Sequence, residues 1–401
     1  MTRHPYICGG LRTPIGRYGG ALASVRPDDL AAHAIRCLVE RAPGLDPAAI
    51  DEVVLGCANQ AGEDNRNIAR MAALLAGLPV EIPGVTVNRL CASGAEAVAQ
   101  AGRAIRAGEA SLVLAGGVES MSRAPYVLGK STSAYGRGQD LADTTIGWRF
   151  VNPEMARRHG TASMPETGEN VAERFSISRQ DQDRFAEQSQ ARAEAARASG
   201  FHGQEICPVT VAARREETIV ERDEHPRPGT TFADLQSLHP LVKPGGTVTA
   251  GNAAGVNDGA AVLWVASEKA ALQAGLTPRA RLLGAAAAGV APDIMGIGPV
   301  ASTGRLLDRI GLRITDFDLV EINEAFAAQA IASLRGLGLD FRDEIVNPNG
   351  GAIALGHPLG MSGARLVLSA AHTLERSGAR RALVTLCVGV GQGVTLALER
   401  A

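Results

Sequence analysis

Cys91 lies in Val-Asn-Arg-Leu-Cys-Ala-Ser-Gly-Ala, residues 87–95. The apolar, β-branched stretch from Ile82 to Val87 reads as a strand, and Glu96 to Ile105 reads as a helix. The thiol therefore falls at a strand-to-helix junction. Unpaired backbone N–H groups and the helix dipole favour negative charge there, so the expected effect is a lowered pKa and a reactive thiolate. Taken alone, a cysteine is more often a small buried hydrophobe.

Three other segments alter that judgement. Glu321-Ile-Asn323-Glu324-Ala-Phe326 puts polar groups at the end of an apolar strand and before a helix, where parallel α/β sheets bind ligands. Asn323 as a plain helix cap is the competing reading. The turn-rich run from Asn347 to Gly360 holds one histidine, His357, between Gly356 and Pro358. Cys387-Val-Gly389-Val-Gly391-Gln-Gly393 ends a strand in a turn rich in backbone N–H groups, which could face an oxyanion. It lacks the Gly-x-Gly-x-x-Gly spacing of a dinucleotide loop.

The elements that must hold these residues alternate. Strands are expected over Arg3–Gly9, Glu52–Gly56, Ser111–Ala115, Ala261–Ala266, Arg281–Ala286, Phe317–Ile322 and Arg381–Cys387. Helices are expected over Pro27–Arg41, Asn67–Ala76, Val300–Ile310, Ala325–Leu337 and Gly363–Ser377. The class is α/β. Ser93-Gly-Ala and Ser362-Gly-Ala each open a helix that precedes an apolar strand and a glycine cluster, which suggests a duplicated βα unit. Residues 123–246 break the pattern. They are rich in Arg, Glu, Asp, Pro and Gly, contain one plain long helix (Arg179–Ser199), and carry the charge runs 214–217 and 221–225. They read as an inserted, loop-rich domain.

The chain has 401 residues, more than one core usually supports. Its net charge is −2, which argues against a general nucleic-acid or membrane-surface role while leaving room for a local basic patch. No apolar run is long enough to cross a bilayer, no signal-peptide core follows the start, and the six cysteines are scattered without Cys-x-x-Cys spacing. A reducing, cytoplasmic setting without a zinc knuckle is the expectation.

Taken together, these segments resemble the thiolase family over essentially the whole chain. Arg12-Thr-Pro-Ile-Gly16, the Cys91 motif, Gly116-Gly117-Val-Glu119-Ser-Met121-Ser and Gly251-Asn252-Ala-Ala-Gly255 carry the likeness. Asn323-Glu324-Ala-Phe326, Gly356-His357-Pro358 and the Cys387 cluster complete it in family order. Residues 56–66, 144–152 and the Gly-Val-Gly-Gln-Gly ending look like the 3-oxoadipyl-CoA subgroup of aromatic catabolism.

The resemblance implies the thiolase fold. Two similar βα halves, 1–122 with 247–275 and 276–401, would stack in αβαβα layers, and 123–246 would cover the active site. It implies cleavage of a 3-oxoacyl-CoA by free CoA through an acylated Cys91. His357 would deprotonate Cys91, and Cys387 would shuttle the second proton. His357 and an Asn323-held water would bind the enolate oxygen, and the N–H groups of Cys91 and Gly389 the tetrahedral intermediate. Arg227, Met164, Ala254, Phe326 and Arg149 are the implied substrate or CoA contacts, Arg149 for a terminal carboxylate. Coenzyme A enters as a co-substrate, no metal or permanently bound cofactor is needed, and a closed homo-oligomer, dimer or tetramer, is expected.

This sequence departs from the family pattern at Val390, Ala254 and Ser163, where a glycine, a serine and a histidine are usual. Competing readings are an acetoacetyl-CoA or broad-chain thiolase, a condensing synthase, which Cys387 argues against, and a catalytically silent acyl-CoA carrier.

Overall fold

The computed structural model describes residues 3–212 and 217–401, so Arg214, Arg215 and Glu216 of the first charge run lie outside it. The N-terminal part contains β1 (Pro5–Arg12), the two-residue β2 (Gly16–Arg17), α1 (Pro27–Glu40), β3 (Glu52–Gly56) and α2 (Ile68–Leu75). Then come β4 (Gly84–Val87), α3 (Ser93–Ala107) and β5 (Leu112–Ser120). The intervening segment carries β6 (Tyr126–Leu128), β7 (Leu141–Asp143), α4 (Pro153–His159), α5 (Met164–Arg174), α6 (Arg179–Ala198) and α7 (Phe201–Glu205). It continues through β8 (Val209–Ala212), β9 (Glu217–Val220) and α8 (Phe232–Gln236). The chain then returns through β10 (Asn257–Ser267) and α9 (Glu268–Gln273). The remainder holds β11 (Ala280–Gly289), α10 (Gly298–Ile310), β12 (Leu319–Ile322), α11 (Ala327–Gly336), α12 (Ala352–Leu355), α13 (Leu359–Ser377), β13 (Arg381–Val388) and β14 (Gln392–Arg400).

The strand order, β12-β13-β14-β11-β1-β10-β5-β3-β4, is nearly a palindrome of pairings. On one side β10 is antiparallel to β1 and β5, and β3 is parallel to β5 and β4. On the other, β14 is antiparallel to β11 and β13, and β12 is parallel to β13 and to a bridge at Val346. The two halves join through a short β1–β11 register of two residue pairs.

Layering follows from which faces are apolar. Helices α3 and α13 pack on each other and against both sets of strands, so they form the middle layer. Their apolar residues belong to one core shared by both halves, in which Ala95, Val98, Ala364 and Val367 are buried. A second core lies under α1 and α2, and a third under α10 and α11. The result is the five-layer αβαβα arrangement that the resemblance implies.

The repeated Ser-Gly-Ala explains how the central helices approach. A Cβ on Gly94 would lie 2.6 Å from the Gly360 carbonyl oxygen, and one on Gly363 would lie 2.3 Å from the Ala95 backbone nitrogen. Only glycine permits that contact.

The inserted segment is more ordered than composition suggests. Besides α6 it holds α4, α5, α7 and α8. At the start of α5 the Ser163 N–H donates to Glu166 Oε2 at 2.6 Å, a reciprocal cap that fixes the first turn. Among the described residues, no helix is long and apolar enough to cross a membrane.

Candidate active site

Cys91 sits in a single 3₁₀ turn, Leu90–Ala92, between β4 and α3. Ser93 ties that turn together, accepting from Arg89 N–H at 2.9 Å and donating to the Leu90 carbonyl at 2.6 Å. Leu90 takes φ 44°, an uncommon conformation for a branched side chain.

His357 occupies the matching junction before α13 and is nearly fully buried. Asn257 Oδ1 accepts the His357 backbone N–H at 2.9 Å, while Asn257 Nδ2 donates to the Gly16 carbonyl at 3.0 Å. Gly356, at φ 102°, leaves no room for a Cβ, which would meet the Asn257 side chain at 2.6 Å. The Ser362 hydroxyl donates to the Pro358 carbonyl at 2.8 Å and lies 2.6 Å from His357 Nδ1. Ser362 is therefore the acceptor for Nδ1–H, which leaves the lone pair on Nε2. Asn323 Nδ2 approaches that atom at 3.3 Å.

Asn323 is fully buried, and its Oδ1 has no hydrogen-bond partner among the described residues. Its neighbour Glu324 is structural. Glu324 accepts from Asn347 Nδ2 at 2.7 Å, Ser189 Oγ at 2.7 Å and Ile353 N–H at 3.1 Å, so it ties the turn after β12 to α6 and α12. Cys387, near the end of β13, is fully buried in an apolar cluster with Val248, Ala253, Met295, Ala325 and Phe326.

Burial decides the resting charge of these groups. It pushes the Cys91 thiol up to about 11, although the N–H groups of Gly389 and Cys91 favour the thiolate. The depression expected from the helix N-terminus is therefore not realised, because desolvation outweighs two amide donors. Burial, helped by the Arg365 charge, drives His357 down to about 3. Cys387 is raised further, by burial and by the nearness of Cys91. Thiol and imidazole are both neutral at rest and line the same cavity.

These groups meet at a cavity of about 350 Å³ whose wall includes Cys91, His357, Gly389, Met164, Ala254, Phe326 and Arg149. Asn323 and Cys387 lie behind that wall. Arg149 reaches Asn59 Oδ1 through Nη2 at 3.4 Å, and Trp148 beside it donates Nε1–H to the Ala162 carbonyl at 3.3 Å. Arg227 is not brought to the cavity. It is exposed, and its backbone N–H is held by Gln190 Oε1 at 3.0 Å. Val390, which also lines the cavity, takes φ 62°. That left-handed conformation costs a β-branched residue roughly 1–2 kcal/mol, which accounts physically for the glycine usual at this place.

Sequence reasoning passed over Glu119, which lines the cavity and is buried. Its carboxylate accepts N–H groups from Ala58 at 2.9 Å, Asn59 at 3.0 Å and Gly360 at 2.8 Å. It thereby links the loop after β3 to the first turn of α13, three residues beyond His357. Burial raises its pKa to about 7 against those three donors. The signal in the sequence was an acidic residue following an apolar strand and two glycines.

The family model described as thiolase, N-terminal domain, matches residues 6–269, and the thiolase C-terminal domain model matches residues 276–400. A beta-ketoadipyl-CoA thiolase of Pseudomonas aeruginosa is 63% identical over 400 residues, covering 100% of both chains. A 3-oxoadipyl-CoA/3-oxo-5,6-dehydrosuberyl-CoA thiolase of Escherichia coli K12 is 60% identical over 399 residues, 99% of this chain and 100% of the relative. Among solved structures, the Bacillus anthracis acetyl-CoA acetyltransferase superposes with a TM-score of 0.93 at 41% identity, covering 100% of this chain and 99% of its own.

Proposed function

This chain belongs to the thiolase family, and from that premise we propose that it cleaves 3-oxoadipyl-CoA with free CoA, giving succinyl-CoA and acetyl-CoA in aromatic-compound degradation. The observation that carries this reading is one cavity that holds Cys91 and His357 and has a guanidinium, Arg149, in its wall. The full-length likeness to beta-ketoadipyl-CoA thiolases supports the chain length and the terminal carboxylate. A buried carboxylate needs a cation or several donors, and Arg149 supplies both.

The steps follow from the resting charges. Both reacting groups are neutral, so His357 Nε2 takes the Cys91 proton as Sγ attacks the C3 carbonyl, by general-base catalysis rather than from a preformed thiolate. The N–H groups of Cys91 and Gly389 stabilise the tetrahedral oxyanion, each donor contributing about 3 kcal/mol in a dry site. The C2–C3 bond then breaks, its electron pair passing to the acetyl-CoA enolate. His357, now protonated on Nε2, donates to the enolate oxygen. Asn323 orients a water toward the same oxygen with its uncommitted Oδ1. Cys387 gives its proton to C2, and acetyl-CoA leaves. The Cys387 thiolate then deprotonates incoming CoA, whose sulfur attacks the succinyl thioester, and Cys91 recovers its proton from His357.

Met164, Ala254 and Phe326 contact the acyl–pantetheine portion in this reading, and Arg227 meets the phosphate end outside the cavity. Coenzyme A is a co-substrate, with no permanently bound cofactor. The functional division is 1–122 with 247–275, 123–246, and 276–401. The chain works as a closed homo-oligomer in the cytoplasm.

Thiolysis rates with 3-oxoadipyl-CoA and with acetoacetyl-CoA test the substrate. A preference of at least tenfold in kcat/KM for the carboxylate-ended chain is expected. Equal rates would move the reading to a broad 3-ketoacyl-CoA thiolase.

A further inference from the structure

A second cluster of nucleophilic groups lies away from the cavity. His33 and Cys37 stand one turn apart on the same face of α1, and Cys207 follows α7 in the inserted segment. The ligating atoms of all three lie within 4.8 Å of one another. Cys37 Sγ is 3.5 Å from His33 Nε2, and the same nitrogen is 2.8 Å from the Pro208 carbonyl oxygen. That carbonyl can only accept, so Nε2 carries a hydrogen, directed mainly at the carbonyl and shared at longer range with the sulfur. Cys37 and His33 are partly exposed, whereas Cys207 is buried.

We propose that Cys37 and Cys207 form a peroxide-sensitive thiol pair, in which the partly exposed Cys37 is the attacking sulfur and the buried Cys207 resolves it into a disulfide. The charges around the pair agree. The nearby Cys207 sulfur, whose thiol also lies 3.3 Å from the Arg12 carbonyl oxygen, and then His33 bring Cys37 down to about 4, with Arg36 adding to them. His33 is raised, chiefly by its hydrogen bond to Cys37, with Arg36 opposing. Cys207 is raised by the same sharing and by burial, and Arg41 opposes that rise. The sharing favours the thiolate on Cys37, the sulfur that solvent reaches. Low pKa, access and a neighbouring thiol are what a peroxide-reactive cysteine requires.

The chemistry balances with a hydroperoxide as oxidant. The Cys37 thiolate attacks the outer peroxide oxygen, the O–O bond breaks, and water (from hydrogen peroxide) or an alcohol leaves once protonated. Cys207 Sγ then displaces hydroxide from the Cys37 sulfenic acid. The Cys207 proton and that hydroxide form a second water. The bond would pin α1 to residues 206–208, which already hold β1 through the Cys207 N–H to Arg12 carbonyl bond at 2.8 Å.

The test uses the full chain with hydrogen peroxide, followed by peptide mapping without reductant. A Cys37–Cys207 linked peptide should form, disappear with dithiothreitol, and be absent in Cys37→Ser and Cys207→Ser. Cys37→Ser should keep wild-type thiolysis. Between pH 6 and 8, iodoacetamide labelling of Cys37 should stay nearly flat. In His33→Gln, labelling at pH 6 should slow by about tenfold or more as the thiolate fraction falls. Three results would overturn the proposal: no linked peptide at doses that oxidise Cys91, labelling of Cys37 that climbs tenfold per pH unit in the wild type, or one zinc ion per chain retained by the wild type and lost in all three variants.

Discussion

The two halves use one scaffold to present different chemical groups at matching places. Each delivers a reactive group from the loop before a central helix: Cys91 before α3, His357 before α13. Their strands match by register as well. Gly117 pairs with the last residue of β3 and Thr385 with the last residue of β12, so Glu119 and Cys387, each two residues further on, occupy equivalent positions. Glu119 accepts three backbone N–H groups that fix a loop and a helix start. Cys387 sits in an apolar cluster instead. One position thus carries a carboxylate anchored by three amides in the first half and a thiol in an apolar cluster in the second. A carboxylate surrounded by amides is good at holding geometry. A thiol surrounded by carbon is held protonated at rest, so it has a proton to give.

The sharpest way to break this contrast is at the nucleophile. Cys91→Ser should lower thiolysis by roughly 10⁴-fold or more, as loss of a covalent nucleophile does elsewhere. The wild type should show a succinylated Cys91 peptide by mass spectrometry. A serine variant of near-normal rate would remove the acyl-enzyme reading.

Cys387 comes next. Cys387→Ser should cost about 10²–10⁴ in kcat, the usual range for a positioned acid–base group. Because His357 is held at about 3, its basic form is present throughout the neutral range. The acid limb of kcat/KM should therefore fall below pH 5, and a limb near 6.5 would contradict a buried neutral imidazole. Since the Cys91 thiol lies near 11, its alkylation should rise about tenfold per pH unit from 7 to 9.

Arg149→Ala separates binding from chemistry. Hydrogen bonds to a charged group contribute about 1.5–3 kcal/mol, so kcat/KM for 3-oxoadipyl-CoA should drop about 10- to 100-fold while acetoacetyl-CoA is little affected. Equal losses on both substrates would reduce Arg149 to a wall residue.

The smallest expected effect probes the anchor. Glu119→Gln keeps shape but removes a titrating group, and kcat should fall less than tenfold. The folded pKa of Glu119 is raised above its ordinary value, so its contribution to stability is full below about 4.5 and is lost as pH rises through about 7. Thermal melting from pH 4.5 to 8 should show that loss in the wild type and a flatter profile in the variant. A wild type that gains from this group over the same window would reverse the sign.

Much of the frame could be read from residue types in order. The strand over Glu52–Gly56 follows from its apolar run and the long helix from Arg179 from its Ala-, Glu-, Gln- and Arg-rich composition, and both form as expected. The Ser-Gly-Ala repeat pointed to duplication, and its glycines prove to be where α3 and α13 touch. Other parts were hidden. Strand β14 follows a glycine cluster, and most of it is buried on both faces, so no alternation marks it. The Ser163–Glu166 capping signature was available but stood in a segment dominated by charge and proline.

By itself, the sequence determined which chemical groups exist and in what order: a cysteine and a histidine at strand–helix junctions, a second cysteine at a strand end, and paired halves of like pattern. These depend on local periodicity and turn residues, which act over a few positions. Tertiary structure alone decided their protonation and their company. The lone pair on His357 Nε2, the elevated Cys91 thiol, the anchoring by Glu119 and the exclusion of Arg227 from the cavity all depend on desolvation and on partners up to 241 residues away in the chain. Burial is a property of the assembled fold, so no window of sequence could have assigned those charges.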